Sequence, residues 1–357
     1  MLPYFILILL PMAVAAVRTK GVVRIGEGPV QNKRNTEITV FFGIFLALLM
    51  LRDEACGADT TAYLRLFEQI GQKSWGSAIS TTSVEPGFTA LSKLIYFITK
   101  NEQLFLLVTA AITVIPLYRF YRKETELPVL TIVLFATIAP FSMYFSGIRQ
   151  ALAMAFVFSA WKLTREKKWI KFLLLVLVAT LFHRSSFVIL AIYPMYHLRI
   201  TTKWLYAVVP LMLLVYIFNK PIFNVLLLLW GEDGTVESTG ATTVLLLLVL
   251  FAVYAFVIAD ESKLEKEVLG YRNILLLAIT IQCFAPVHSI AMRMNYYFLP
   301  FIPILIPKIA NRSKAGMKSL VNISVIVMTL IFAAYFFLRA YTSENILRIY
   351  PYTFFWQ

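Results

Sequence analysis

The stretch Tyr144-Phe145-Ser146-Gly147-Ile148-Arg149-Gln150 closes one apolar run (129–145) and opens the next (148–163) almost without a loop. A third run (169–182) ends at His183-Arg184. Charge held near hydrocarbon costs several kcal/mol unless it is paired or faces a polar cavity. An arginine snorkelling at the membrane edge is the plain alternative. Gly147 permits a tight turn, and Arg149 falls in the first turn of the following helix, where unpaired amides and the helix dipole favour an anion. His183-Arg184 returns to the same face. The stretch therefore predicts a polytopic membrane fold with a site for an anionic group, such as a lipid-linked phosphate, at one membrane surface.

Composition agrees. The chain has 357 residues, 60% of them hydrophobic and 15% aromatic. At ~20 residues per crossing there is room for about 12 transmembrane helices (roughly 10–14) with short loops. The expected fold class is an all-α integral membrane protein with further re-entrant or interfacial helices. Residues 1–357 read as one transmembrane domain without a soluble appendage, an internal repeat or a low-complexity segment. The net charge of +14 is first explained by loop asymmetry across a membrane, so no nucleic-acid partner is inferred. Cys56 and Cys283 have no metal-type spacing, and no metal site is expected. Leu2–Val17 reads as a first membrane helix left in place, because basic residues follow its apolar core rather than precede it.

Basic residues set the orientation. Arg18, Lys20, Arg24, Lys33 and Arg34 place the first loop in the cytoplasm, and a second helix, about Ile38–Leu51, emerges at Arg52. Residues 52–86 form the main external loop. Phe88–Thr99 is short for a span and is read as re-entrant or interfacial, which leaves the crossing to 104–118. The remaining runs alternate: 129–145 out, 148–163 in, 169–182 out, Phe187–Leu198 in, Trp204–Phe218 out, Val244–Ala259 in, Asn273–Ile290 out, Tyr296–Pro307 in and Leu320–Leu338 out. A second external loop, 219–243, carries Glu232, Asp233 and Glu237. Most of the 33 Lys and Arg residues then face the cytoplasm. Arg149, His183, Arg184 and Arg293 break that rule together, beside the loop that bears Asp59 and Glu85.

Four constellations follow. In Arg52…Gly57-Ala58-Asp59-Thr60…Tyr63…Phe67, Asp59-Thr60 has the form of a helix N-cap, and Tyr63 and Phe67 share a helix face. Functionally, Asp59 is an acceptor for sugar hydroxyls and Tyr63 a stacking platform. In Val84-Glu85-Pro86-Gly87-Phe88, Pro86 opens a helix with Glu85 at its N-terminus. Glu85 is a general base provided that burial raises its pKa. In Leu181-Phe182-His183-Arg184-Ser185-Ser186, His183 is either a base or phosphate ligand, or a helix-end histidine bonded to a carbonyl. In His288…Arg293-Met294-Asn295-Tyr296-Tyr297, an arginine followed by aromatics suits phosphate plus sugar. No Walker loop, dinucleotide fingerprint, HExxH or GxSxG occurs.

At these places the chain resembles the EpsG family of Wzy-like bacterial polysaccharide polymerases. The matching residues are Arg52 with Gly57, Asp59 and Tyr63; Glu85-Pro86-Gly87-Phe88; Arg149-Gln150-Ala151; His183 with Ser185-Ser186; Arg293 with Tyr297; and Tyr350-Pro351-Tyr352-Thr353-Phe354-Phe355. The resemblance implies a GT-C-like, metal-independent membrane glycosyltransferase without a cofactor, working at the external face of the bacterial plasma membrane. It would join undecaprenyl-diphosphate-linked oligosaccharide repeats, with membrane lipid around it and a chain-length regulator protein as candidate partner. In that reading Arg149, Arg293 and Arg184 hold the diphosphate. His183 activates the acceptor hydroxyl or positions the leaving group, with Glu85 or Asp59 the rival base. Arg52, Tyr63, Gln150 and Tyr297 contact substrate. The alternatives are a flippase or other transporter of lipid-linked saccharides, an O-antigen-ligase-type enzyme, a transferase with a monophosphate-linked single-sugar donor, and a non-enzymatic scaffold.

Overall fold

A computed structural model of the protein describes residues 2–19, 35–138, 140–230, 241–342 and 347–357. Lys20, Arg24, Lys33 and Arg34 of the first basic loop, and Glu232, Asp233 and Glu237 of the acidic one, lie outside the described residues. The fold is all-helical. Among the described residues the only extended pairings are two isolated bridges, Arg52 with Phe354 and Ala259 with Ser313.

In chain order come α1 (Leu2–Thr19), α2 (Thr36–Met50), α3 (Thr60–Gln72), α4 (Trp75–Thr81), α5 (Pro86–Ile98) and α6 (Glu102–Glu124). Thus 52–86, expected as a loop, contains two helices. Amphipathic α3 buries Tyr63, Leu64, Phe67 and Ile70 against Phe88, Ile95 and Phe105. Helix α5 has 13 residues, about 20 Å at 1.5 Å per residue, well short of ~30 Å of hydrocarbon. Helix α6 is capped by Asn101, whose side chain accepts from the Leu104 amide at 3.0 Å. Its 23 residues are long and apolar enough to cross.

Prolines divide the next expected span into α7 (Pro128–Thr137) and α8 (Pro140–Ser146), each opened by a proline. Helices α9 (Ile148–Arg165) and α10 (Trp169–Thr180) follow. The expected crossing Phe187–Leu198 is a 3-10 stretch, Arg184–Ala191, running into the short α11 (Ile192–His197). Then come α12 (Leu205–Ile217) and α13 (Asn219–Trp230), the latter where a loop was expected. The segment Arg184–His197 bends by 119° from Thr202–Ile217. Helices α14 (Thr242–Val257), α15 (Lys266–Gln282), α16 (Ser289–Asn295), α17 (Ile302–Asn311) and α18 (Lys318–Thr342) complete the order.

Among the described residues three helices are long and apolar enough to cross a membrane, or up to five if each bent pair is one span, with four shorter apolar helices besides. The expectation of about twelve counted apolar runs. Several of those runs are split or foreshortened here by proline and by backbone breaks, so the described residues do not supply a dozen full-length spans.

Charged residues gather at two ends. Arg149 opens α9 and Arg165 closes it, about 24 Å apart along the helix. At the Arg165 end, Arg165 meets Glu124 (3.2 Å) and Glu267 (2.6 Å). Lys308 reaches Glu124 and Glu126 (3.3 and 3.5 Å), and Arg312 reaches Glu126 and Glu265 (2.9 and 2.6 Å). Asn35 donates to the carbonyls of Arg122 and Thr125, bringing the start of α2 to the same end. The segments that carry Arg165, Lys308 and Arg312, grouped together by the charge pattern, therefore do meet, and these three residues pair with carboxylates. Between the ends lies an aromatic core in which Trp161 stacks on Tyr271 at 4.4 Å, and Phe45 and Phe135 pack against Phe141 of α8.

Candidate active site

Two glycines let the backbone close up at the Arg149 end. Gly57 has φ +103, and a Cβ there would lie 2.3 Å from the Phe145 carbonyl oxygen. Only glycine tolerates both the conformation and the approach. Gly87 donates its amide to the Leu181 carbonyl at 2.7 Å, and a Cβ would meet that backbone at 2.6 Å. The second contact lays the start of α5 against the turn after α10. Glu85 thereby reaches His183 and Arg184, about a hundred residues further along.

Glu85 is the hub. Its Oε2 accepts from Arg149 Nη1 at 2.5 Å, and its Oε1 accepts from the Arg184 amide at 3.1 Å. Oε1 also lies 3.2 Å from His183 Nδ1, at ion-pair distance but without hydrogen-bond alignment. Burial works against ionisation of Glu85. His183, its own amide, Arg149 and the Arg184 amide outweigh burial and hold its carboxyl down at about 2. The condition for Glu85 as a general base, a raised pKa, is not met. Its carboxylate lies beside Nδ1 and leaves Nε2 as the imidazole nitrogen it does not touch.

Arg149 is held from its other side by Tyr63, whose hydroxyl lies 3.4 Å from Nε and whose ring centroid lies 5.9 Å from the guanidinium carbon. Tyr63 in turn packs edge-on against Phe88. Asp59 is fixed by Ser146, which donates to its Oδ2 at 3.0 Å and accepts from its amide at 3.3 Å. Gln150 donates to the Arg293 carbonyl at 2.5 Å, while its buried Oε1 has no partner.

These groups surround a cavity of about 1300 Å3. Asp59, Tyr63, Arg149, Gln150, His183 and Arg293 all line it, joined by Ser142, Ser146, Tyr296, Arg339 and Tyr350. Among its described lining residues three arginines face one aspartate. A largely apolar wall comes from α14 and α18.

Four residues expected at the site are not part of the cavity lining: Glu85, which touches it only through Arg149 and His183, and Arg52, Tyr297 and Arg184. Arg52 is 2% exposed and donates Nη1 to the Leu49 carbonyl, because the C-terminal segment covers it. That segment pairs Asp53 N with Thr353 O and Phe355 N with Leu51 O. Tyr297 is fully buried, its hydroxyl 3.2 Å from Ser185 Oγ. The Arg184 side chain is exposed and does not line the cavity, and only its amide touches Glu85. Conversely, Ser146 and Arg339 were not anticipated at the site, and Tyr350 enters from sequence only as part of the tail that resembles the family. Ser146 adjoins Gly147 within the deciding stretch, whereas Arg339 looks like any arginine at the end of a membrane helix. Among the described residues no three of His, Cys, Asp and Glu gather as metal ligands would.

Comparisons with curated proteins and with solved structures find no match. The EpsG family model matches residues 36–354, from the start of α2 into the C-terminal segment that covers Arg52. The match spans nearly the whole chain, including the cavity and the contacts that build it. The chain therefore belongs to the EpsG family, which is associated with Wzy-like polysaccharide polymerases.

Proposed function

We propose that the protein is a membrane glycosyltransferase that joins undecaprenyl-diphosphate-linked oligosaccharide repeats into polysaccharide at the external face of the bacterial plasma membrane. Besides family membership, one observation supports the reading: Arg149, Arg293 and His183, from three separate segments, meet in one cavity that also has apolar walls. Such a cavity suits a substrate with an anionic head, a sugar portion and a lipid tail.

In the reaction an acceptor hydroxyl attacks the anomeric carbon of the donor sugar as the bond from that carbon to the diphosphate oxygen breaks. The bonding pair leaves with the diphosphate. Guanidinium groups already aimed at the departing oxygens stabilise that charge in the transition state, usually the largest catalytic contribution. His183 Nε2 takes the acceptor's proton. Glu85 beside Nδ1 stabilises the resulting imidazolium and holds the ring's orientation. Asp59 on Ser146, and the unpartnered Oε1 of Gln150, accept from sugar hydroxyls.

The test uses purified protein in liposomes supplied with a polyprenyl-diphosphate-linked oligosaccharide, without ATP or added metal. The expected result is a ladder of products with release of polyprenyl diphosphate, abolished by Arg149→Ala although that variant still inserts. Movement of the lipid-linked sugar across the bilayer without new glycosidic bonds would make the protein a transporter instead.

A further inference from the structure

The cavity is chemically divided. Arg149 is already engaged by Glu85 at 2.5 Å. Arg293 and Arg339 lie towards α18, and the phenol of Tyr296 is within electrostatic reach of both guanidinium groups. Ile331, Tyr335 and Arg339 follow one another at four-residue spacing, so they line up on one face of α18. From Ile331 to Arg339 the file rises about 12 Å. Opposite it, α14 contributes Leu246 and Leu250, and the Phe251 and Phe332 rings, 5.9 Å apart, connect the two helices.

Several of these wall residues face outward as well as inward. Leu246, Leu250 and Ile331 line the cavity and are nonetheless 61%, 66% and 58% exposed. The cavity thus opens sideways through the apolar exterior between α14 and α18. A sugar gains nothing from such an opening, whereas a hydrocarbon chain can enter along it and stay in an apolar medium.

We infer that the groove between α14 and α18 is the seat of the donor's prenyl chain, and that Arg339, with Arg293, binds the diphosphate at its head. This rests on the function proposed above and deepens it. The donor enters laterally on the Arg293–Arg339 side, and the acceptor hydroxyl is presented from the His183–Glu85 side. Arg149, on the His183–Glu85 side of the cavity, acts on charge that appears only during transfer.

The probe is farnesyl diphosphate, titrated into the purified full-length protein in zwitterionic nanodiscs. Inorganic diphosphate, farnesol and phosphatidylglycerol are the comparison ligands. Farnesyl diphosphate should bind at least tenfold more tightly than inorganic diphosphate or farnesol, and phosphatidylglycerol should not displace it. Arg339→Gln should weaken it about tenfold or more, with partial recovery in Arg339→Lys. Ile331→Ser should weaken farnesyl diphosphate without changing inorganic diphosphate. Lys318→Gln, at the opposite end of the same helix, should bind as the wild type does, and thermal unfolding of each variant separates lost binding from lost folding. A folded Arg339→Gln with unchanged affinity would overturn the inference, as would equal competition by phosphatidylglycerol, the mark of a general lipid site. Binding is read without sugar transfer, so a protein that binds the probe as expected but makes no glycosidic bond sinks the proposed function and leaves the groove standing.

Discussion

Replacing Glu85 by glutamine should cost stability in a way that depends on pH. The carboxyl is held at about 2 against an ordinary 4.5. At 1.36 kcal/mol per pKa unit this contributes about 3 kcal/mol to the folded state at neutral pH. The side chain of its partner Arg149 is 26% exposed, so water screens part of the interaction and about 2–3 kcal/mol is expected. The folded-state value is depressed. The contribution is therefore complete above pH 4.5 and is lost as pH falls from there towards 2. Glutamine cannot take up that proton. The stability gap between wild type and Glu85→Gln should be about 2–3 kcal/mol at pH 7 and should narrow progressively below pH 4.5. Unfolding of the detergent-solubilised proteins, followed by tryptophan fluorescence at pH 7, 5, 4 and 3, measures it. Equal stability at pH 7, or a gap that stays constant down to pH 3, would refute the role of Glu85 as the buried hub.

His183→Ala should slow polymerisation by about 10²–10⁴-fold, the range for a lost general base. Farnesyl diphosphate affinity should stay within about twofold, which steady-state rates and binding titrations check together. Gly87→Ala should fold poorly, since the new Cβ meets the Leu181 backbone at 2.6 Å; reduced yield of folded protein and lost activity are the readouts. Arg52→Leu should act on stability rather than on substrate, so any folded fraction should keep the wild-type KM for the saccharide. Tyr352→Phe removes the hydrogen bond to the Leu48 carbonyl at 2.8 Å and should cost about 1 kcal/mol in unfolding experiments.

What could be read from sequence divides along physical lines. Charge is a one-dimensional signal in a membrane protein, because each loop must choose a side. The grouping of Arg165, Lys308 and Arg312 at one end and of Arg149, His183 and Arg293 at the other was visible in the chain for that reason. Apolar runs are a weaker signal. They do not tell a straight span from one broken between Thr137 and Pro140, or a helix from the 3-10 stretch at Arg184–Ala191. Long-range contacts left no local trace. Nothing near Gly87 announces Leu181, and nothing near Asp59 announces Ser146, 87 positions away. Arg52 and Tyr297 show the reverse. Both belong to blocks that resemble the family, yet one is roofed by the C-terminal segment and the other is packed inside, so they support the site without facing its cavity. Arg339 was invisible because an arginine ending a membrane helix has an ordinary explanation, and only the α18 file that leads to it suggests another.

The most direct measurement is a structure of the protein with a lipid-diphosphate-linked oligosaccharide bound in a membrane mimic. The account predicts diphosphate oxygens within hydrogen-bonding reach of Arg293, the prenyl chain between α14 and α18, and the first sugar beside His183. A diphosphate seated instead at the other end of α9, among Arg165, Lys308 and Arg312, would contradict it.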